Sequence, residues 1–150
     1  MIRRIRMYTD GGARGNPGPA ATGVVLIELD DSGQEGDVVA AFGVYLGETT
    51  NNQAEYQAII HGLQKAKELG YNMVDARMDS ELAVKQLNGE YRVKNQALAQ
   101  RVLEIHNLKQ SFREVRFSHV RRAQNAAADA QVNKAIDEAF RVTSRRFPHA

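Results

Sequence analysis

Apolar and polar positions alternate at the start of the chain, with Ile5, Met7 and Thr9 set against Arg4, Arg6 and Tyr8, and this period of two predicts a strand ending at Asp10. Gly11, Gly12, Gly15, Pro17, Gly18 and Pro19 follow in a stretch that no helix tolerates, so a glycine-dense turn is expected there. Strand patterns at 23–29 and 38–46, joined by Asp30-Asp31-Ser32-Gly33, complete an antiparallel meander. Over 53–69 the spacing becomes helical, with Ile59, Ile60, Leu63 and Ala66 on one stripe and Gly70 as the stop. A strand at 73–78, helices at 80–87 and 96–108 split by Asn88-Gly89, a strand at 115–119 and a helix over about 126–140 finish the pattern. Residues 1–141 read as a single domain and 142–150 as a flexible basic tail.

The order β-β-β-α-β-α-α-β-α implies an α/β fold: strands 1–3 antiparallel, strands 4 and 5 added in parallel by crossovers, and helices on both faces of one five-stranded mixed sheet. In such sheets ligands bind beyond the carboxyl ends of the parallel strands. The strands predicted to end at Asp10 and Asp79 each deliver an acid there.

Length and composition change this picture only by exclusion. At 150 residues the chain is large enough to bury about two thirds of its unfolded surface without staples. It has no cysteine, so disulfides, thiolate metal sites and cysteine nucleophiles are out, and a metal would have to use oxygen or imidazole. No apolar run reaches a membrane span and no secretory pattern follows Met1, which places the expected protein in the cytoplasm with no membrane partner. The net charge is only +2, but clusters at Arg3, Arg4 and Arg6, at Arg121 and Arg122, and at Arg141, Arg145 and Arg146 admit a polyanionic partner.

The candidate chemistry lies in acids. A dinucleotide fingerprint does not fit the first turn, because Pro17 and Pro19 occupy the place of the helix that would receive a pyrophosphate, and no nucleotide cofactor is expected. Glycine leaves the backbone beside Asp10 bare for a bulky ligand, although a plain hairpin with an acid at its first position reads the same way. Glu55 falls on the stripe of Ile59, Ile60 and Leu63 in the expected first turn of its helix, and Asp129 on the stripe of Val132, Ile136, Ala139 and Phe140. Each has a structural reading as well: Asn52-x-x-Glu55 fits a capping box, and Asp129 complements a helix dipole. Four carboxylates brought to one rim would repel unless a divalent cation neutralised them, and an all-oxygen set suits Mg²⁺, or alternatively Mn²⁺. Two such ions about 4 Å apart would serve phosphodiester hydrolysis.

Thr9-Asp10-Gly11-Gly12 through Asn16-Pro17-Gly18-Pro19, Thr49-Thr50-Asn51-Asn52-Gln53-Ala54-Glu55, Asp79-Ser80, and His119 with Asn125 and Asp129 resemble, in order and spacing, the motifs of type 1 ribonuclease H. The resemblance covers nearly the whole chain, from Met7 to about Phe140. It implies the ribonuclease H-like fold and an endonuclease that cuts the RNA strand of RNA·DNA hybrids with two Mg²⁺ ions, leaving 5′-phosphate and 3′-hydroxyl ends, with a monomer as the default. By position, Asp10 resembles the acid bridging both ions, Glu55 the acid near the scissile phosphate, Asp79 and Asp129 the remaining ligands, and His119 the histidine of proton transfer or product release. Gly11, Gly12, Asn16, Asn51 and Asn52 resemble the groups that read the RNA minor groove, where the 2′-hydroxyl distinguishes RNA from DNA. Thr50 resembles the contact to a DNA phosphate, and Asn125 is placed with the substrate-binding residues. Each asparagine also has a turn or cap reading.

Two departures stand out. The chain runs from Leu87 through Tyr91 to Gln96 without the basic, tryptophan-bearing protrusion of several family members, and Glu48 stands where some relatives have an arginine beside the DNA phosphate. Lys85, Arg92, Lys94 or the tail are the candidate replacements. A non-catalytic binding module, and a nuclease preferring double-stranded RNA or an RNA–DNA junction, remain the alternatives.

Overall fold

The computed structural model describes residues 2–146, with side chains through Arg141. Its elements run β1 (Arg4–Ala13), β2 (Gly18–Leu29), β3 (Glu35–Thr49), α1 (Asn51–Glu68), β4 (Met73–Met78), α2 (Glu81–Leu87), α3 (Gln96–Lys109), β5 (Glu114–His119) and α4 (Ala126–Arg146), with a 3₁₀ turn at Arg122–Asn125. The sheet order is β3-β2-β1-β4-β5, with β1, β2 and β3 antiparallel and β1, β4 and β5 parallel. This is the mixed five-stranded sheet expected from the pattern.

Alternation along β1 divides the molecule into two layers. Ile5 and Met7 are fully buried in the larger core, with Ile59 and Leu63 of α1, Val74 and Met78 of β4, and Ile105 of α3. On the other face Ala21 packs with Val132, Ala135 and Ile136 of α4. Burial of each large aliphatic side chain is worth about 1.5–3 kcal/mol, so the α1 side carries most of the stabilisation. Thr50 caps α1 through its hydroxyl, which accepts from Gln53 N at 3.2 Å. Gly70, at φ +85°, closes that helix with Tyr71 N donating to Ala66 O and Gly70 N to Lys67 O.

Three boundaries differ from expectation, each for a physical reason. β1 does not end at Asp10: it continues to Ala13 because β2 starts at Gly18 and keeps pairing through Gly11↔Thr22, Gly12↔Ala21 and Ala13↔Ala20. The turn therefore falls at 14–17, outside the first glycine pair. Asn52 is not the helix cap, since Thr50 takes that role and puts Glu55 at the fifth position of α1 and past its first turn. α4 continues to Arg146, beyond the expected end near Phe140, and the rest of the expected tail, 147–150, lies outside the described residues. No helix among the described residues is long and apolar enough to cross a membrane.

Candidate active site

Parallel pairing of β1 with β4 ends at Tyr8↔Arg77, whereas pairing with β2 continues past it, so Asp10 sits where the sheet opens on one side only. Asp79 follows Met78, the last residue of β4, and Ser80 then caps α2 by accepting from Ala83 N at 3.2 Å. Glu55 comes from α1, and Asp129 from the first turn of α4. All four acids line a single open cavity of about 540 Å³.

Two glycines make this convergence sterically feasible. A Cβ on Gly11 would lie 2.1 Å from the Ala54 carbonyl carbon and 2.3 Å from Glu55 N, so the bare backbone there receives the start of α1. Gly11 is buried and also lines the cavity, so its bare backbone has a packing role against α1 beside the expected one toward a ligand. A Cβ on Gly23, the ladder partner of Asp10, would lie 2.1 Å from the Ala128 carbonyl oxygen. One glycine thus seats the helix carrying Glu55, and the other the helix carrying Asp129.

The electrostatics follow from crowding. Asp10 is pushed up to about 8, first by burial, then by the charge of Asp79, a hydrogen bond shared with Asp129, and the charges of Asp129 and Glu55. Glu55 is pushed up to about 7, mainly by burial and further by Asp79, while a hydrogen bond from the Ser80 hydroxyl opposes the rise. Charge on these crowded carboxyl groups is therefore disfavoured unless protons or a cation relieve the repulsion. Among the described residues no three acid or histidine groups form a ready-made cation cage. The donor set nonetheless fits a hard divalent ion: it is all oxygen, half-buried at Asp10, Glu55 and Asp79, and destabilised by its own charge.

The other candidate residues separate clearly. Asn51 lines the cavity; its Oδ1 accepts from Ala13 N at 2.8 Å and its backbone N donates to Asn16 Oδ1 at 3.1 Å, which locks the β1–β2 turn to the start of α1. Gly12 lines the cavity, while Asn16 and Asn52 are exposed beside it. Thr50 uses its hydroxyl on the helix cap. His119 stands at the end of β5, exposed and outside the cavity lining. Asn125 corrects the expectation of a substrate contact: it is 1% exposed and its Nδ2 donates to the Thr9 carbonyl at 2.9 Å, which ties the 3₁₀ turn to the strand beside Asp10. Lys85 is already engaged, 3.1 Å from Glu81 and over the Tyr91 ring.

Sequence reasoning assigned no role to Arg14 or Asn133, which line the cavity; it named Arg122, also in the lining, only within a basic cluster, and Ser80 only within the Asp79-Ser80 motif. Ser80 had an available signal, its position as a cap directly after Asp79. Arg14 had none, because a lone charge in a turn carries no period.

The family model described as reverse transcriptase-like matches residues 8–135. Ribonuclease HI of Halobacterium salinarum is 41% identical over 136 residues, which is 91% of this chain and 66% of that protein. Ribonuclease H of Pseudomonas putida is 32% identical, over 92% of this chain and 97% of the relative. A bifunctional protein of Mycobacterium tuberculosis is 38% identical, and the chain spans 36% of its length. Among solved structures, the halobacterial ribonuclease H1 matches with a TM-score of 0.85 at 41% identity, covering 90% of this chain and 98% of that one. A compost-derived ribonuclease H1 solved in complex with an RNA/DNA hybrid matches with a TM-score of 0.82 at 43% identity, over 91% and 99%.

Proposed function

The chain belongs to the type 1 ribonuclease H family, and from that premise we propose that it hydrolyses the RNA strand of RNA·DNA hybrids with two Mg²⁺ ions, leaving 5′-phosphate and 3′-hydroxyl ends. The observation that carries this reading is the convergence of Asp10, Glu55, Asp79 and Asp129, from β1, α1, the β4–α2 junction and α4, on one cavity. The hybrid bound by the compost-derived relative supports the substrate class. One chain supplies all four acids, so the reaction needs no second copy.

When bound, the two ions would supply an activated water and neutralise charge developing on the phosphate. Asp10 interacts with each of the other three acids and is the natural shared ligand. Glu55 would be oriented by the Ser80 hydroxyl toward the phosphate side, and Asp79 and Asp129 would complete the set. His119, exposed at the end of β5, would exchange a proton with the leaving oxygen from the solvent side. The 2′-hydroxyls of the RNA would meet Gly12, Asn16, Asn51 and Asn52 on the turn and helix start.

The test is a side-by-side incubation of labelled RNA·DNA hybrid, RNA duplex and DNA duplex in Mg²⁺ and again in EDTA. Fragments from the RNA strand of the hybrid in Mg²⁺ alone are expected. Preference for the RNA duplex would overturn the substrate, and cleavage surviving EDTA would overturn the metal dependence.

A further inference from the structure

Arg14 lies two residues before Asn16 in the β1–β2 turn and lines the acid cavity. Its guanidinium reaches across to α4, with Nη1 2.8 Å from Asp137 Oδ1 and Nη2 3.5 Å from the Asn133 carbonyl and 3.4 Å from its Oδ1. An ion pair with side chains 43% and 56% exposed contributes little to stability, so its effect is to hold the guanidinium in place. Of the five N–H donors of arginine, the α4 contacts leave Nε and part of each Nη without a partner among the described residues, on a side chain that lines the cavity. The backbone that carries Arg14 is also fixed, since Arg14 N donates to Pro19 O at 2.8 Å and the neighbouring Ala13 N to Asn51 Oδ1.

A phosphate approaching this cavity meets four carboxylates, so a fixed cationic donor at its edge would offset their repulsion. Resting on the hybrid-cleavage reading, we propose that Arg14 is a phosphate-binding residue for the nucleic acid, held by Asp137 and Asn133 at the α4 side of the cavity. Planar donors of this kind match two phosphate oxygens at once. The competing role is indirect: Asn133 Nδ2 donates to the Asp129 carbonyl at 3.2 Å and stands 3.5 Å from its Oδ2, so Arg14 could instead act by positioning Asp129 through Asn133.

The two roles separate by salt. Hybrid binding is measured by fluorescence anisotropy between 50 and 300 mM KCl in Mg²⁺, with D10N blocking turnover, for D10N, D10N/R14A and D10N/R14K. A phosphate contact predicts that R14A weakens binding roughly 3- to 30-fold and reduces the slope of log K against log salt by about 1, while R14K restores the slope. In the otherwise unaltered enzyme R14A should raise KM with kcat within about twofold. An unchanged slope, or a kcat loss that more Mg²⁺ repairs, overturns the contact in favour of positioning. Parent-enzyme cleavage of hybrid reports on the underlying reading separately: cleavage with an unchanged slope removes Arg14 alone, and no cleavage with no hybrid binding removes both.

Discussion

Gly23 stands directly opposite Asp10 in the β1–β2 ladder, and the hydrogen that replaces its side chain leaves room for the Ala128 carbonyl of α4. The residue after Ala128 is Asp129, so the distance between two acids of the cavity is set by an absent methyl group on a neighbouring strand. Gly23→Ala forces α4 to step back, and overpacking of this kind typically costs about 1–3 kcal/mol. A Tm lower by roughly 3–10 °C and hybrid cleavage reduced at least about tenfold are expected from thermal denaturation and steady-state kinetics. Unchanged values for both would show that the helix is not held by this contact.

Asp10→Asn should separate function from stability. Cleavage should fall by roughly three orders of magnitude or more, because a charged metal ligand is lost while the shape is kept. The metal-free protein should become more stable near neutral pH, by about 2–4 °C in Tm, because the substitution removes an acid whose ionised form is disfavoured by burial and by Asp79, Asp129 and Glu55 and which must take up a proton on folding. A variant less stable than the parent in EDTA would contradict the account of the cavity as a site of stored repulsion.

The pH dependence follows from the same two groups. Asp10, near 8, and Glu55, near 7, lie well above ordinary carboxyl values in the folded state, so the folded protein holds more protons than the unfolded chain between about pH 4 and 8. Their contribution is fully present below pH 4 and is lost as pH rises through 7 and 8. In EDTA the Tm should therefore decline across that window, and the decline should be shallower in Asp10→Asn. Mg²⁺ competes with those protons, so the stabilisation by added Mg²⁺ should grow with pH over the same range. Parallel Tm curves for parent and variant would rule out Asp10 as the source.

Much of this was readable from the chain, and the failures have a common cause. The clean alternation of Met73–Met78 placed Asp79 at a strand end, and the helical stripe of Ile59, Ile60 and Leu63 turned Glu55 inward, because each signal is local and periodic. Gly11 and Gly23 were opaque in their packing role: a glycine's meaning depends on which backbone crosses it, here Ala54 and Ala128, and those lie far away in sequence. Thr50, Asn51 and Asn52 are all competent caps, so propensity alone could not choose the first. The same long-range dependence hid the burial of Asn125, whose partner is the carbonyl of Thr9 at the other end of the chain.

Asn125 gives the sharpest test of structure against resemblance. Its Nδ2 satisfies the buried Thr9 carbonyl, and its Oδ1 is buried without a protein partner. Asn125→Ala would leave that carbonyl unpaired and open a small void between the 3₁₀ turn and β1. Together these should cost about 2–4 kcal/mol, a fall in Tm of roughly 5–15 °C. The void borders the residue before Asp10, so kcat should also drop, while KM for the hybrid, measured well below the new Tm, should stay within about twofold because the side chain touches no substrate. The opposite result, a several-fold rise in KM with Tm preserved, would mean that the 3₁₀ turn opens to present Asn125 to nucleic acid. Asp129, carried on the helix that follows, would then move as well, and the Mg²⁺ requirement of the variant would shift with KM.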